Sequence, residues 1–422
     1  MMGMLEKYDK FVAIEKEEET KQIKFYGGKM EVIKEWKSRE MEWFLYKDGR
    51  LLNISMENAD ERKAEKMLKR AEKIFPNLVQ SSFEIGEGKQ YKNDKILDEE
   101  ILDDERMKDK VEGAIVNGME YGKDVSGVLY SSMEKIKVHN SRGVVCEDRN
   151  SSSYLSIRVF TQESSGHAVS CSRTLRNIDE KVGKEAGEIA SMGKERKKIK
   201  EGRYDVILAP MAFANLISNF GMCASSFAVD AGYSFLKDKI GEKVGSENVT
   251  IYDSGVEKDG IFSRKFDDEG VATRRNVIME KGIIKKYLHN GTTAMVHGTK
   301  TTGNAGIISP HPWNLIVEKG RNKVDDMMKE IDGLMITNVW YTRFHNYSTG
   351  DFSTVARDGA FLIKNGNVEY GVKGIRITDN LGKMLKNVEM LSKERKQIYW
   401  WEIEYPVFAP YAMVRDVSIT TS

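Results

Sequence analysis

The stretch "KFVAIEKEEETKQIKFYGGKMEVIKEWKSREMEWFLYKDGRLLNISM" constrains the fold more than any other part of the chain. Its side chains alternate in character, as half-buried strands require, because successive residues of a strand point to opposite faces. Gly27-Gly28 and Asp48-Gly49 interrupt the alternation. The second pair is a type I′ hairpin signal, since both central residues of that turn take positive φ. Next comes "ENADERKAEKMLKRAEKIFP", an amphipathic helix: Ala64, Met67, Leu68, Ala71, Ile74 and Phe75 form one apolar stripe, and Pro76 ends it.

The same order recurs. "MEKIKVHNSRGVVCEDRNSSSYLSIRVFTQESSGHAVSCSRTL" reads as several strands joined by Ser/Asn/Gly turns, and "NIDEKVGKEAGEIASMGKERKK" as a helix starting near Asn177. The intervening "ILDDERMKDKVEGAIVNGMEYG" reads as a further helix, acidic at its start as the helix dipole prefers. The expected fold class is α+β: a duplicated strand-helix N-terminal domain, residues 1–200, followed by a β-rich C-terminal domain, residues 201–422. The charged run "KERKKIKEGR" marks the boundary. Beyond it the pattern predicts a strand from 204, a buried helix over 211–222, and then mostly β structure with hairpins turning at Lys281-Gly282 and Asn365-Gly366.

Bulk charge excludes several function classes. With 66 basic and 65 acidic residues the net charge is +1, so composition offers no case for nucleic acid or an anionic membrane as partner. Cys146, Cys171 and Cys223 are odd in number, far apart and without a CxxC, which argues against a disulfide scaffold and fits a reducing cytosol. The opening "MMGMLEKYDKF" has no apolar leader core, and no segment has the uninterrupted apolar length of a membrane span. A soluble cytoplasmic protein is the expectation.

Motifs for catalysis are scarce. There is no HExxH, and the six histidines include no pair three to five residues apart. Cys223, His289 and His297 remain a conceivable ligand set, against the plainer reading of hydrogen-bonded structural histidines. GxSxG and P-loop patterns are absent. The loop "TTGNAG" places Thr302, Gly303 and Asn304 where backbone N–H groups can approach a ligand, or where strands simply turn. "FDDEGVATRR" reads as an ion-pair loop. "WYTRFHNYSTGDFS" interleaves aromatics with Arg343, His345 and Asp351, which suits a ligand-lining strand and equally an aromatic sheet core.

Several segments together resemble one family. "FDDEGVATRRNVIMEKGIIKKYLHN", "TTGNAG" and "TGDFSTVARDGAFLIKNGNVEYGVKGIRITDNLGKMLKNVEML" are similar to the TldD/PmbA peptidase-related proteins, once called modulators of DNA gyrase. The N-terminal strands, the first helix and "EKIKVHNSRG" fit as well. The resemblance implies an α+β N-terminal domain, a β-rich C-terminal domain, and action on unfolded or flexible peptides. It also implies a heterodimer of two kinds of chain. The TldD kind carries H-E-x-x-x-H on a helix and a downstream cysteine, which together bind zinc; the PmbA or TldE kind lacks them.

Here the helix at the corresponding place is "MAFANLISNF", with Asn215 and Asn219 four residues apart and neither histidine nor glutamate. No cysteine follows Cys223, and the closing "WWEIEYPVFAPYAMVRDVSITTS" resembles PmbA-type chains. Amide oxygens are weak zinc ligands, and Leu216 and Ile217 offer nothing to activate water. The expectation is a chain with no cofactor and no catalytic residue of its own, zinc lying in a TldD-type partner subunit. Two alternatives stand beside it: a self-sufficient metallohydrolase with unusual ligands, and a regulatory binding protein acting on a topoisomerase.

Overall fold

The computed structural model describes residues 2–88, 91, 93–193, 195–306 and 308–421. Its first half is one antiparallel sheet. Strands β1 (Lys10–Tyr26), β2 (Lys29–Lys47) and β3 (Arg50–Glu57) lead into helix α1 (Glu61–Ile74). After α2 (Asp104–Met119), strands β4 (Asp124–Asn140), β5 (Val145–Phe160) and β6 (Ser165–Ser172) lead into α3 (Val182–Met192). Three strands then a helix therefore occur twice. Pairing of β1 with β4 joins both units in the order β3-β2-β1-β4-β5-β6. Asp48 and Gly49 take φ of 51° and 75°, as the hairpin signal required.

Two boundaries differ from the sequence pattern. Helix α3 begins at Val182 rather than near Asn177. Residues Leu175–Asn177 instead form a 3-10 turn whose N-cap, Thr174, accepts from the Arg176 N–H, and Ile178 is extended. In α1 the apolar stripe is narrower than drawn: Ala64, Leu68, Ala71 and Phe75 are buried, while Ile74 is 45% exposed because its neighbour Phe75 takes the inward position.

The long strand β1 serves two cores and a cavity. On one face Phe11 and Ala13 pack with Met41, Trp43 and Leu45 beneath α1, and further along Ile23 and Phe25 pack with Leu129, Leu155 and Ile157 beneath α2 and α3. Charged Glu15, Glu17, Glu19 and Lys21 occupy the stretch between these helical covers. Helices α2 and α3 approach closely at Gly183, where an added Cβ would lie 2.0 Å from the Ala114 carbonyl oxygen. On the opposite face Val12 and Ile14 pack with Phe44, Ile136, Val138, Phe83 and Phe266, which seals this sheet against the second half of the chain.

The second half is a branched sheet. It comprises β7 (Arg196–Lys197), β8 (Gly202–Leu208), β9 (Ile251–Ser254), β10 (Arg275–Glu280), β11 (Ile283–Ile284), β12 (Leu315–Val317), β13 (Gly333–Ile336), β14 (Val339–Asn346), β15 (Asp351–Ala356) and β16 (Ala360–Lys364). The remaining strands are β17 (Asn367–Val372), β18 (Ile375–Asn380), β19 (Val388–Ile398) and β20 (Val407–Thr421). Helices α4 (Pro210–Cys223), α5 (Ser226–Asp230), α6 (Gly291–Val296), α7 (Val324–Lys329) and α8 (Leu381–Lys386) connect them. Strand β20 is the hub, pairing with β8, β12, β18 and β19. Both hairpins read from Lys281-Gly282 and Asn365-Gly366 are present, with positive φ at all four residues.

Helix α4 starts with Pro210 at its first turn, where the missing N–H costs nothing. It is buried on nearly every side, packing Phe213, Leu216, Ile217 and Phe220 among Val206, Leu208, Leu334 and Val414 while Asn215, Ser218 and Asn219 make its polar contacts. The two halves are also clasped by polar groups. Arg173 is fully buried; it donates to the carbonyls of Ile96 (2.6 Å), Ser263 (2.9 Å) and Gly260 (3.2 Å) and to Asn150 Oδ1 (3.3 Å). The Glu269 carboxylate accepts the N–H groups of Gly86 and Gly291 at 2.8 and 3.0 Å. Among the described residues no helix is long and apolar enough to cross a membrane.

Candidate functional site

Past Ile14 the sealed face of β1 turns polar, and there the two halves of the chain part. Lys16, Glu18 and Thr20 of β1, Tyr130, Ser132 and Glu134 of β4, and Asn150, Ser152 and Tyr154 of β5 form the floor of a cavity of about 520 Å³. These are same-face neighbours by register: Glu18 pairs with Glu134, Thr20 with Ser132, and Tyr130 with Tyr154. Phe262, Arg264, His311, Trp313 and Tyr399 from the second half form the roof.

Aromatic rings run round this cavity in contact: Trp36 on Tyr130, Tyr130 on Tyr154, Tyr154 on Tyr399 and Tyr399 on Phe262, with centroids 5.1–6.0 Å apart. Lys16 Nζ lies 3.1 Å from both Glu18 and Glu134. Burial works against the Lys16 ammonium, but those carboxylates outweigh it and its pKa rises. Burial likewise opposes the Glu134 charge, and Lys16 and then Arg264 overcome it, so its pKa falls. The Arg264 guanidinium lies 4.9 Å from the Trp313 ring centre and 3.4 Å from Asp268, while its Nε and one Nη nitrogen are buried without a hydrogen-bond partner among the described residues. A carboxylate offers the acceptors such a guanidinium lacks, and the ring of aromatics suits the side chains of an extended peptide.

Tyr399 also lines a second cavity of about 460 Å³ with Arg343, Trp401, Glu402 and Glu404, and the backbone of Glu402 and Tyr405 in the same segment meets helix α4. Asn215 on α4 is buried. Its side-chain oxygen accepts from the Thr342 hydroxyl at 2.6 Å, and its amide donates to the Glu402 carbonyl at 3.4 Å. Asn219 donates to the Asn215 carbonyl at 2.8 Å, and Ser218 Oγ accepts the Tyr405 N–H at 3.1 Å. Burial pushes the Cys223 thiol at the end of this helix up to about 12. The residues of α4 do not fit a zinc ion: they supply no imidazole and no carboxylate, Cys223 is a lone buried thiol with no companion ligands gathered round it among the described residues, and the Asn215 oxygen is already engaged.

The other sequence candidates scatter. Thr302, Gly303 and Asn304 lie in one hydrogen-bonded loop: Thr302 Oγ1 accepts the His289 N–H, the Gly303 carbonyl accepts from Trp313 Nε1, and Asn304 donates to Asp253 and to the His311 carbonyl. Thr302 lines a further cavity. Arg343, His345 and Asp351 stand on the β14–β15 hairpin. Arg343 lines the second cavity, and Asp351 is held by Thr349 and Asn380. His289 and His297 meet with ring centres 5.2 Å apart, and His297 pairs with Asp230 at 2.9 Å. Cys223 does not complete the set, since no three His, Cys, Asp or Glu side chains gather for a metal among the described residues.

Sequence reasoning missed the cavity between the halves. Its available signal was the polar turn of the even-numbered positions of β1, where Val12 and Ile14 give way to Lys16, Glu18 and Thr20.

Comparison with known proteins extends the picture. The profile of the PmbA/TldA metallopeptidase C-terminal domain matches residues 201–421, and that of the central domain of the same family matches residues 90–193. An uncharacterized protein of Methanocaldococcus jannaschii is 29% identical over 311 residues, 70% of this chain and 72% of that protein. Metalloprotease PmbA of Escherichia coli O157:H7 is 33% identical over 186 residues, 43% of this chain and 40% of that protein. The metalloprotease TldD homolog of Buchnera aphidicola subsp. Acyrthosiphon pisum is 28% identical over 297 residues, 65% and 61% respectively. The chain thus spans less than two thirds of these two metalloproteases.

Among solved structures, a proposed modulator of a DNA gyrase from Thermotoga maritima superposes with a TM-score of 0.88 at 24% identity, over 99% of this chain and 98% of that one. TldE from Thermococcus kodakarensis gives 0.86 at 22% identity, over 98% and 97%. At these identities the structures establish a shared α+β fold. Matched by both domain profiles over most of its length, the chain belongs to the PmbA/TldA metallopeptidase family.

Proposed function

We propose that this chain is a TldE/PmbA-type subunit that binds no metal and completes a heterodimeric zinc metallopeptidase acting on unfolded or flexible peptides in the cytoplasm. Zinc, in this reading, belongs to a TldD-type partner subunit. One observation carries the assignment: α4, the helix that the family resemblance places at the metal site, presents Asn215 and Asn219 with Asn215 bonded to Thr342. Metal-assisted hydrolysis needs a cation to acidify water and a base to take its proton. This helix supplies neither. The chain's own contribution is to bind and orient peptide, for which the aromatic cavity with Lys16, Glu134 and Arg264 offers side-chain contacts and a carboxylate partner.

Exposed Tyr341 and Trp401, packed on buried Trp340 and Trp400, support an apolar contact with the partner. The test is reconstitution. An unstructured peptide should be hydrolysed when this chain is mixed with a zinc-bearing TldD-type chain, and Arg264→Ala should raise KM in that mixture while leaving complex formation intact. Hydrolysis by this chain alone at the rate of the mixture would contradict the reading.

A further inference from the structure

A third cavity, of about 420 Å³, lies where β10, the segment after β11 and the loop after α6 converge. Among its lining residues five are lysine or arginine, two are histidine, and none is aspartate or glutamate. In a chain whose net charge is only +1, this is a local segregation of positive charge. Part of it is neutralised at the edges: Arg275 reaches Glu318 at 3.5 Å, Lys285 reaches Glu280 at 3.1 Å, and His297 reaches Asp230.

The rest is not. Arg274 donates to the carbonyls of Thr301 (2.7 Å) and Thr302 (3.1 Å), which fixes its guanidinium without neutralising it. No carboxylate among the described residues pairs with Arg274, Lys286 or Lys300. His289 is 94% buried by its 6% exposure, yet its ring forms part of the wall. Its Nδ1 lies 3.3 Å from Thr293 Oγ1, and no described residue bonds Nε2.

Concave, uncompensated cationic surface concentrates anions. A monovalent ion would leave most of this charge unmet, whereas a phosphoryl group brings two charges and several acceptor oxygens suited to guanidinium and ammonium donors. We propose that this cavity binds a polyvalent anion bearing phosphoryl groups, its charge met by Arg274, Lys286 and Lys300. The site is separate from the peptide cavity and does not depend on the subunit role proposed above.

The test uses the full chain and isothermal titration calorimetry near physiological salt, with sodium pyrophosphate as one titrant and ATP as another. Saturable binding of one pyrophosphate per chain is expected. The double substitution Lys286→Glu/Lys300→Glu should weaken it about tenfold or more, and Lys286→Gln/Lys300→Gln should weaken it less. Both variants should keep the wild-type melting profile, because the two lysines are exposed. Lys66→Glu/Lys69→Glu on α1, with the same change in net charge, should bind as wild type. ATP binding no tighter than pyrophosphate places recognition in the phosphoryl groups; tighter ATP binding extends it to the nucleotide. No saturable heat with either titrant, or equal weakening by the α1 pair, would overturn the proposal.

Discussion

The hydroxyl of Thr342 donates to the side-chain oxygen of Asn215 across 2.6 Å. That bond ties helix α4 to strand β14 and leaves the Asn215 oxygen engaged within the protein. Asn215→Ala should leave Thr342 short of this acceptor in a buried setting and cost about 1–3 kcal/mol of stability. Asn219, half-buried and with its side chain bonded, among the described residues, only to a carbonyl one turn back, should cost about 0.5 kcal/mol or less as Asn219→Ala. Denaturant midpoints of the two variants measure the difference, and neither variant should change the metal content.

Arg173 holds the two halves of the chain together through carbonyl groups. Burial lowers its pKa to about 10, which still leaves it charged at neutral pH. Arg173→Met should cost about 3–5 kcal/mol, because the carbonyls of Ile96, Gly260 and Ser263 lose their donor inside the protein. Arg173→Lys should recover little, since one ammonium cannot span the positions a forked guanidinium reaches. Urea unfolding read by tryptophan fluorescence gives the comparison.

Stability should fall as pH rises through neutrality, and Asp253 supplies part of the slope. Burial pushes its carboxyl up to about 7, against the hydrogen bonds from Asn304 and Trp313. A carboxyl raised above its unfolded value of about 3.9 holds its proton in the folded state after the unfolded chain has released it. Its contribution is therefore complete below about pH 4 and lost as pH climbs through 7. Between pH 6.5 and 8, above the range in which the buried His167 and His289 oppose it, melting temperatures should decline, and those of Asp253→Asn should decline less steeply, whatever its stability at lower pH. Parallel slopes would remove Asp253 from the explanation.

Helix packing offers a separate check. A Cβ at Gly183 meets the backbone oxygen of Ala114 at 2.0 Å, so Gly183→Ala must push α3 off α2 and should cost about 1–3 kcal/mol. At Gly113 the nearest group is the flexible end of Glu180 at 2.3 Å, which can swing aside. Gly113→Ala should be close to neutral, the side-chain shift being offset by about 1 kcal/mol of helix propensity. Thermal melts of the pair decide it.

Much of the fold was legible in the sequence because its signals are local. Asp48-Gly49, Lys281-Gly282 and Asn365-Gly366 announce their hairpins through residues that tolerate positive φ, and Ala64, Leu68 and Ala71 repeat at helical spacing. The start of α3 was misplaced because Thr174 caps a short 3-10 turn first, a competition between caps that periodicity does not register. The cavity between the halves was hidden for a different reason. Lys16, Glu134, Tyr154, Arg264 and Tyr399 come from five separate segments and meet only through strand register and the packing of one half on the other. Arg264 in particular borders a loop that reads as ordinary ion pairing, and nothing local shows that two of its nitrogens end up buried without partners.

The most direct measurement is the metal stoichiometry and peptidase activity of this chain purified alone and after mixing with a TldD-type chain. The account predicts zinc well below one per chain and no hydrolysis of an unstructured peptide when alone, with activity arising only in the mixture. One zinc per isolated chain, removed by a chelator together with a peptidase activity, would contradict it.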